Sequence, residues 1–96
     1  MSAITKYMNN CILCGKPNIE IHHCCYGRGI RELADEDALT IPLCRECHEE
    51  LHKNGVAGKL SKIIGQLAYE KHLVANGRSE DIARECFRKR YGRSYL

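Results

Sequence analysis

The stretch Ile41-Pro42-Leu43-Cys44-Arg45-Glu46-Cys47-His48-Glu49-Glu50-Leu51-His52 carries two metal-ligand spacings in one short run. Cys44-x-x-Cys47 can set two thiolates on the same side of a tight turn. His48 and His52, at i and i+4, put two imidazoles on one face of a helix about a turn apart, able to share one cation. The residues from Ala38 to Leu43 read as a strand that ends at Pro42, and from Cys44 to Lys53 the pattern is helical. Asn54-Gly55 then supplies the glycine that commonly stops a helix in a left-handed conformation.

Upstream lies a second pair, Cys11-x-x-Cys14, followed by Gly15, which lets the backbone fold tightly around an ion. Ile19 to Cys25, with its β-branched start, reads as a short strand that Tyr26-Gly27-Arg28-Gly29 breaks. Residues 31–37 read as a polar loop or a single helical turn. The order is therefore strand, loop, strand, helix, a hairpin that returns Cys44 and Cys47 to Cys11 and Cys14. Together the four thiolates complete a tetrahedral structural zinc site. A redox dithiol would instead show one such pair in a strand-to-helix setting.

The chain has 96 residues, 15 basic and 12 acidic side chains, a net charge of +3 and seven cysteines, which fits one domain spanning 1–96 and excludes a large multi-domain enzyme. Aromatic residues are only 6% and tryptophan is absent, so the apolar core is thin and a structural zinc, which can contribute roughly 10 kcal/mol, offsets that. No apolar run reaches the length of a signal-peptide core or a membrane span. The expectation is a cytoplasmic protein, with no membrane partner, in which clustered cysteines bind metal rather than form disulfides.

Beyond Gly55, Leu60, Ile63, Ile64 and Leu67 recur at the spacing of one helix face, which predicts a packing helix up to Asn76-Gly77. Ser79 is an N-cap candidate for a last helix with Glu80 and Asp81 in its first turn, burying Ile82, Ala83, Cys86 and Phe87 and ending at Gly92. The fold class is thus α+β, a core over 11–55 followed by a helical extension over 56–96. Cys24, Cys25 and Cys86 read as buried structural thiols, and His72 as no ligand.

The full series, Cys-x-x-Cys, His22-His23, then Pro42-Leu43-Cys44-x-x-Cys47-His48-x-x-x-His52, resembles the HNH nucleases over residues 11–55. Their ββα-metal motif runs strand, loop, strand, helix and is often braced by a four-cysteine zinc. The resemblance implies that His23 is the general base and that His22, His48 and His52 hold one catalytic divalent cation, Mg²⁺, Mn²⁺, Ni²⁺ or Zn²⁺. In a regular strand His22 and His23 face opposite sides, so the strand must bend or widen for both to serve one site. The asparagine of the family's middle letter would fall near Leu39 or Thr40. Asp37, seven positions before Cys44, is similar to the aspartate at this place in a phage branch of the family that includes a recombination-promoting nuclease. The resemblance implies that Asp37 helps fix the histidine-bearing loop, and a bacterial or phage-infected cell as the setting.

Arg28 and Arg31 flank this loop and are candidates to grip phosphates, and Arg88, Lys89, Arg90 and Arg93 to extend a non-specific DNA track. Two functions follow: a metal-dependent DNA endonuclease, or a zinc-stabilised nucleic-acid-binding module that has lost efficient cleavage along with the asparagine. A zinc-braced protein-interaction domain would leave the helical histidine pair without a task. So short a chain is also compatible with dimerisation or a partner protein.

Overall fold

A computed structural model describes residues 2–96. Two strands, β1 (Ile19–His23) and β2 (Thr40–Cys44), pair antiparallel with Ile19 opposite Cys44 and His23 opposite Thr40. Between them runs α1 (Ile30–Glu36), a full helix where the sequence reads as a polar loop or one turn. Then follow α2 (Arg45–Lys53), α3 (Gly55–Ala75) and α4 (Glu80–Tyr91). The result is a small α+β fold with a two-stranded sheet, four helices and a four-cysteine cluster that could hold a metal.

α2 ends at Lys53 as the sequence reads, but not by a left-handed glycine. Asn54 is extended (φ −102°, ψ 111°), and Gly55, rather than stopping α2 in a left-handed turn, opens α3. The reason is capping: the Asn54 side chain accepts from the Val56 and Ala57 amides at 3.0 Å each, satisfying first-turn donors that would otherwise be orphaned. At the other end of the chain the expected caps form. Ser79 accepts from the Ile82 amide, and Gly92 is left-handed at φ 82° after α4.

The apolar face read on α3 also turns out differently. Leu60, Ile64 and Leu67 are about half exposed, whereas Gly58, Ser61, Gly65, Gln66 and Glu70 are buried. The helix is turned this way because its small residues let its backbone approach the end of β1. A Cβ on Gly65 would sit 2.8 Å from Cys25 Sγ and 3.1 Å from Cys24 Cβ, and one on Gly58 2.7 Å from the Tyr26 hydroxyl. A polar layer completes the contact with α4. Gln66 donates to Glu70 and Ser94, and Arg84 donates to both Glu70 oxygens.

The core has two parts. Cys24, Ile41, Leu43 and Leu51 pack around Cys11 and Cys44 near the cysteine cluster. Cys25, Ala34, Leu39, Phe87 and Tyr91 pack between α1 and α4, with Phe87 and Tyr91 stacked at 4.4 Å. Of the last helix's expected stripe, Ala83 and Phe87 are buried, Cys86 is partly covered and Ile82 is exposed. Cys24 and Cys25 are fully buried, and burial pushes both thiols up, to about 11 and about 12, so they stay protonated.

Candidate functional site

The cysteine cluster is built by two turns. Around Cys11 the chain knots locally: the Gly15 amide donates to Cys11 O at 2.9 Å and the Cys11 amide to Lys16 O at 2.8 Å, with Gly15 left-handed at φ 79°. The Ile12 amide donates to Pro42 O and so fastens this turn to β2. Cys44 ends β2 and N-caps α2, its sulfur accepting from the Cys47 amide. Cys14 and Cys44 sulfurs lie 3.5 Å apart, and the four Sγ atoms are all within 4.8 Å of one another.

Zinc bonds of about 2.3 Å at tetrahedral angles separate sulfurs by about 3.8 Å, so these four cysteines fit a metal such as zinc. Electrostatics agree with this. Burial raises the Cys11 thiol, but backbone hydrogen bonds from Cys44, Cys14 and Leu13 outweigh it and bring it to about 6. Cys47 is pushed up to about 12, first by its hydrogen bond with Cys44, because several thiolates cannot share so small a space without a cation.

A second cluster lies where β1 meets α2. His22, buried on β1, faces His48 and His52 of α2, and the three ring centroids form a near-equilateral triangle with sides of 5.1, 5.3 and 5.0 Å. Each ring offers a ligand nitrogen within 4.8 Å of the others. Desolvation, then the neighbouring imidazoles, lower His22 to about 4, and burial lowers His52, so the neutral, ligating form is favoured.

The hydrogen-bond network assigns the proton on three rings. Ser61 Oγ donates its only proton to Cys24 O at 2.9 Å, so at 2.8 Å from His22 Nε2 it must accept. His22 therefore carries its proton on Nε2 and its lone pair on Nδ1. His48 Nδ1 donates to Glu20 Oε1 at 3.0 Å, which leaves Nε2 as its lone pair. His23 Nε2 donates to Asp35 Oδ1 at 3.1 Å, which leaves Nδ1 as the proton acceptor.

His22 and His23 line one cavity of about 200 Å³ with Ile21, Tyr26, Arg31, His48 and His52. No bulge is needed for this: β1 keeps regular register with β2 through His23, where the strand ends.

Asp37 lies elsewhere. Its carboxylate accepts from Arg90 Nε at 2.7 Å and from the Tyr91 hydroxyl at 2.6 Å, joining the end of α1 to α4, while the carboxylate on His23 is Asp35. The basic track on α4 is also largely neutralised internally. Arg90 pairs with Asp37 and Glu36, and Arg88 with Glu85, which leaves Lys89 and, beyond the end of α4, Arg93 without an ion pair among the described residues. Arg28 is exposed and outside the cavity, whereas Arg31 lines it. His72 is bonded to Asn76 near the end of α3, outside both clusters.

Glu20, Asp35, Ser61 and Tyr26 are the polar neighbours that sequence reasoning missed. Glu20 had a signal, since alternation places it on the same strand face as His22. Asp35 could not be chosen within Asp35-Glu36-Asp37, and Ser61 lies 39 positions from His22 with no local mark.

No curated protein and no solved structure matches this chain. Residues 4–75, which contain both clusters and the whole of β1 through α3, match the family model described as a protein of unknown function, DUF968, and the chain belongs to that family.

Proposed function

We propose that this protein is a metal-dependent DNA endonuclease of HNH type, with the four cysteines holding a structural zinc and His22, His48 and His52 holding one divalent cation. The observation that supports it best is the single cavity in which the imidazoles of His22, His48 and His52 converge beside His23, whose Nε2 is held by Asp35. Nitrogen-only ligation suits Zn²⁺ or Ni²⁺ and leaves coordination positions open for a phosphate oxygen. The bound cation would supply positive charge to the phosphoryl and leaving oxygens.

In this reading His23 Nδ1 takes a proton from a water that attacks phosphorus in line. The P–O3′ bond breaks, leaving a 5′-phosphate, and the O3′ oxygen takes a proton from solvent. Asp35 keeps the imidazole in the tautomer this step needs and stabilises the imidazolium that forms. It thereby does the orienting work expected of the family's asparagine, in a chain where Leu39 is core. Glu20 and Ser61 hold His48 and His22 in ligating tautomers. Arg31 faces the cavity and would contact the scissile phosphate.

The test is incubation with supercoiled plasmid and Mg²⁺, Mn²⁺, Ni²⁺ or Zn²⁺. Wild type is expected to nick or linearise it with at least one ion, and His23→Ala to be slower by about 10²-fold or more. Plasmid left equally intact by both proteins under every ion would refute the nuclease. Retention of DNA without cutting would select the zinc-stabilised binding module instead.

A further inference from the structure

Next to the histidine cavity, and sharing His52 and Tyr26 with it, lies a groove of about 380 Å³ between the start of α3 and the segment after α4. Lys59, Lys62 and Arg93 line it, and no carboxylate does. None of the three forms an ion pair among the described residues, in contrast to Arg84, Arg88 and Arg90, each bonded to an acid. Two of the three, Lys62 and Arg93, lie over aromatic faces instead. Lys62 Nζ stands 4.6 Å from the Tyr26 ring centre and 5.8 Å from that of Tyr95, and the Arg93 guanidinium 5.0 Å from Tyr95.

Gathering like charges in one concavity without a counter-charge raises their mutual repulsion, and an anion entering the groove removes it. The positive end of α3, a helix of 21 residues, opens on the same groove through Asn54 and Gly55 and adds to the field. Because Lys62 and Arg93 lie against the tyrosine rings, the groove offers charge rather than a stacking platform for bases.

We infer that this groove, not the end of α4, carries the phosphodiester backbone of the DNA strand as it leaves the histidine cavity, and that it grips the backbone without reading sequence. The inference rests on the nuclease reading for the identity of the polyanion and goes beyond it in assigning Lys59 and Lys62 and in joining Arg93 to them rather than to the cations of α4. Each cation that neutralises a phosphate releases counterions, so log K against log[salt] steepens by about 0.9 per contact on duplex DNA.

The experiment measures anisotropy of a fluorescein-labelled mixed-sequence DNA duplex between about 50 and 200 mM salt. The zinc-loaded full chain carrying His23→Ala serves as the uncut background. Adding Lys59→Gln, Lys62→Gln and Arg93→Gln together is expected to flatten the salt slope by about 2 to 3 and weaken low-salt binding at least about tenfold. Arg88→Gln with Lys89→Gln should leave the slope unchanged. Lys59→Arg with Lys62→Arg keeps the charge and should keep the slope, which separates loss of phosphate contacts from misfolding. Equal slopes for the groove variant and its parent, equal losses from the groove and α4 variants, or no duplex binding by the parent would each overturn the groove. Plasmid cleavage is scored separately in the His23-containing chain. Cutting with an unchanged slope removes the groove and keeps the nuclease, whereas a flattened slope without cutting removes the nuclease and keeps the groove.

Discussion

Asp35 and Asp37 stand two positions apart in one acidic run yet meet different ends of the molecule. The Asp35 side chain is 74% exposed and accepts from His23 Nε2, whereas Asp37 accepts from the hydroxyl of Tyr91, a residue only 3% exposed. Burial, then the Asp37 hydrogen bond, keeps that hydroxyl protonated and donating. Asp37→Ala strands a buried donor and frees Arg90, so urea unfolding should show a loss of about 1–3 kcal/mol. Asp35→Ala should stay within about 0.5 kcal/mol of wild type in the same measurement, as exposed positions do. If Asp35 orients the base, its plasmid cleavage should nevertheless fall, and the separation of the two readouts identifies which aspartate serves the histidine.

At the scale of elements, α3 has two stripes, and the less apolar one is buried. Gly58, Ser61 and Gly65 face the end of β1 because only a helix with residues this small there can lie against Cys24, Cys25 and Tyr26. Gly65→Ala gains up to about 1 kcal/mol in helix propensity, but its new Cβ meets two buried cysteines at 2.8 and 3.1 Å. Overpacking of this kind costs about 1–3 kcal/mol, so thermal unfolding is expected at a lower temperature than wild type. Leu67→Gln, on the stripe the sequence marks as a packing face, should change stability by about 0.5 kcal/mol or less. A large loss there would mean that Leu67 is covered in solution. The Asn54 cap belongs to the same scale: one residue ends α2 and starts α3, and so sets the direction in which α3 crosses the histidines.

For the molecule as a whole, the two clusters that could hold a metal differ in chemistry and are expected to act differently on the fold. The cysteine cluster joins the turn at Cys11 to the start of α2 and sits against one half of a small core. A zinc held there would contribute about 10 kcal/mol or more, which is comparable to the whole stability of a typical domain. Cys44→Ser, or a strong chelator, should therefore abolish the far-ultraviolet dichroism of the folded chain. The histidine centre has its own framework in β1, α2 and α3. His48→Ala should leave the dichroism intact while metal analysis after dialysis under Zn²⁺ falls from two ions per chain to one. Equal metal content in His48→Ala and wild type would remove the second centre.

Much of the framework was legible because it is encoded locally. Paired cysteine spacings, the i, i+4 histidines, the strand–loop–strand–helix order, the Ser79 cap and the Gly92 stop each depend on residues within a turn or two of one another. The same local reading underestimated α1, and it placed the stop of α2 at Asn54-Gly55 correctly but missed that Asn54 at once caps the next helix, because such a side chain leaves no periodic mark. What only the tertiary structure decided depends on how helices lie on the sheet. That placement determines which aspartate reaches His23, which nitrogen of each ring keeps its lone pair, which face of α3 is covered, and which cations remain without acids. Hydrophobic periodicity reports that a helix has a preferred face, but the distance at which backbones can approach is set by the partner surface. Here that surface is the close-packed pair Cys24 and Cys25, which admits glycine and serine and leaves the leucines outside.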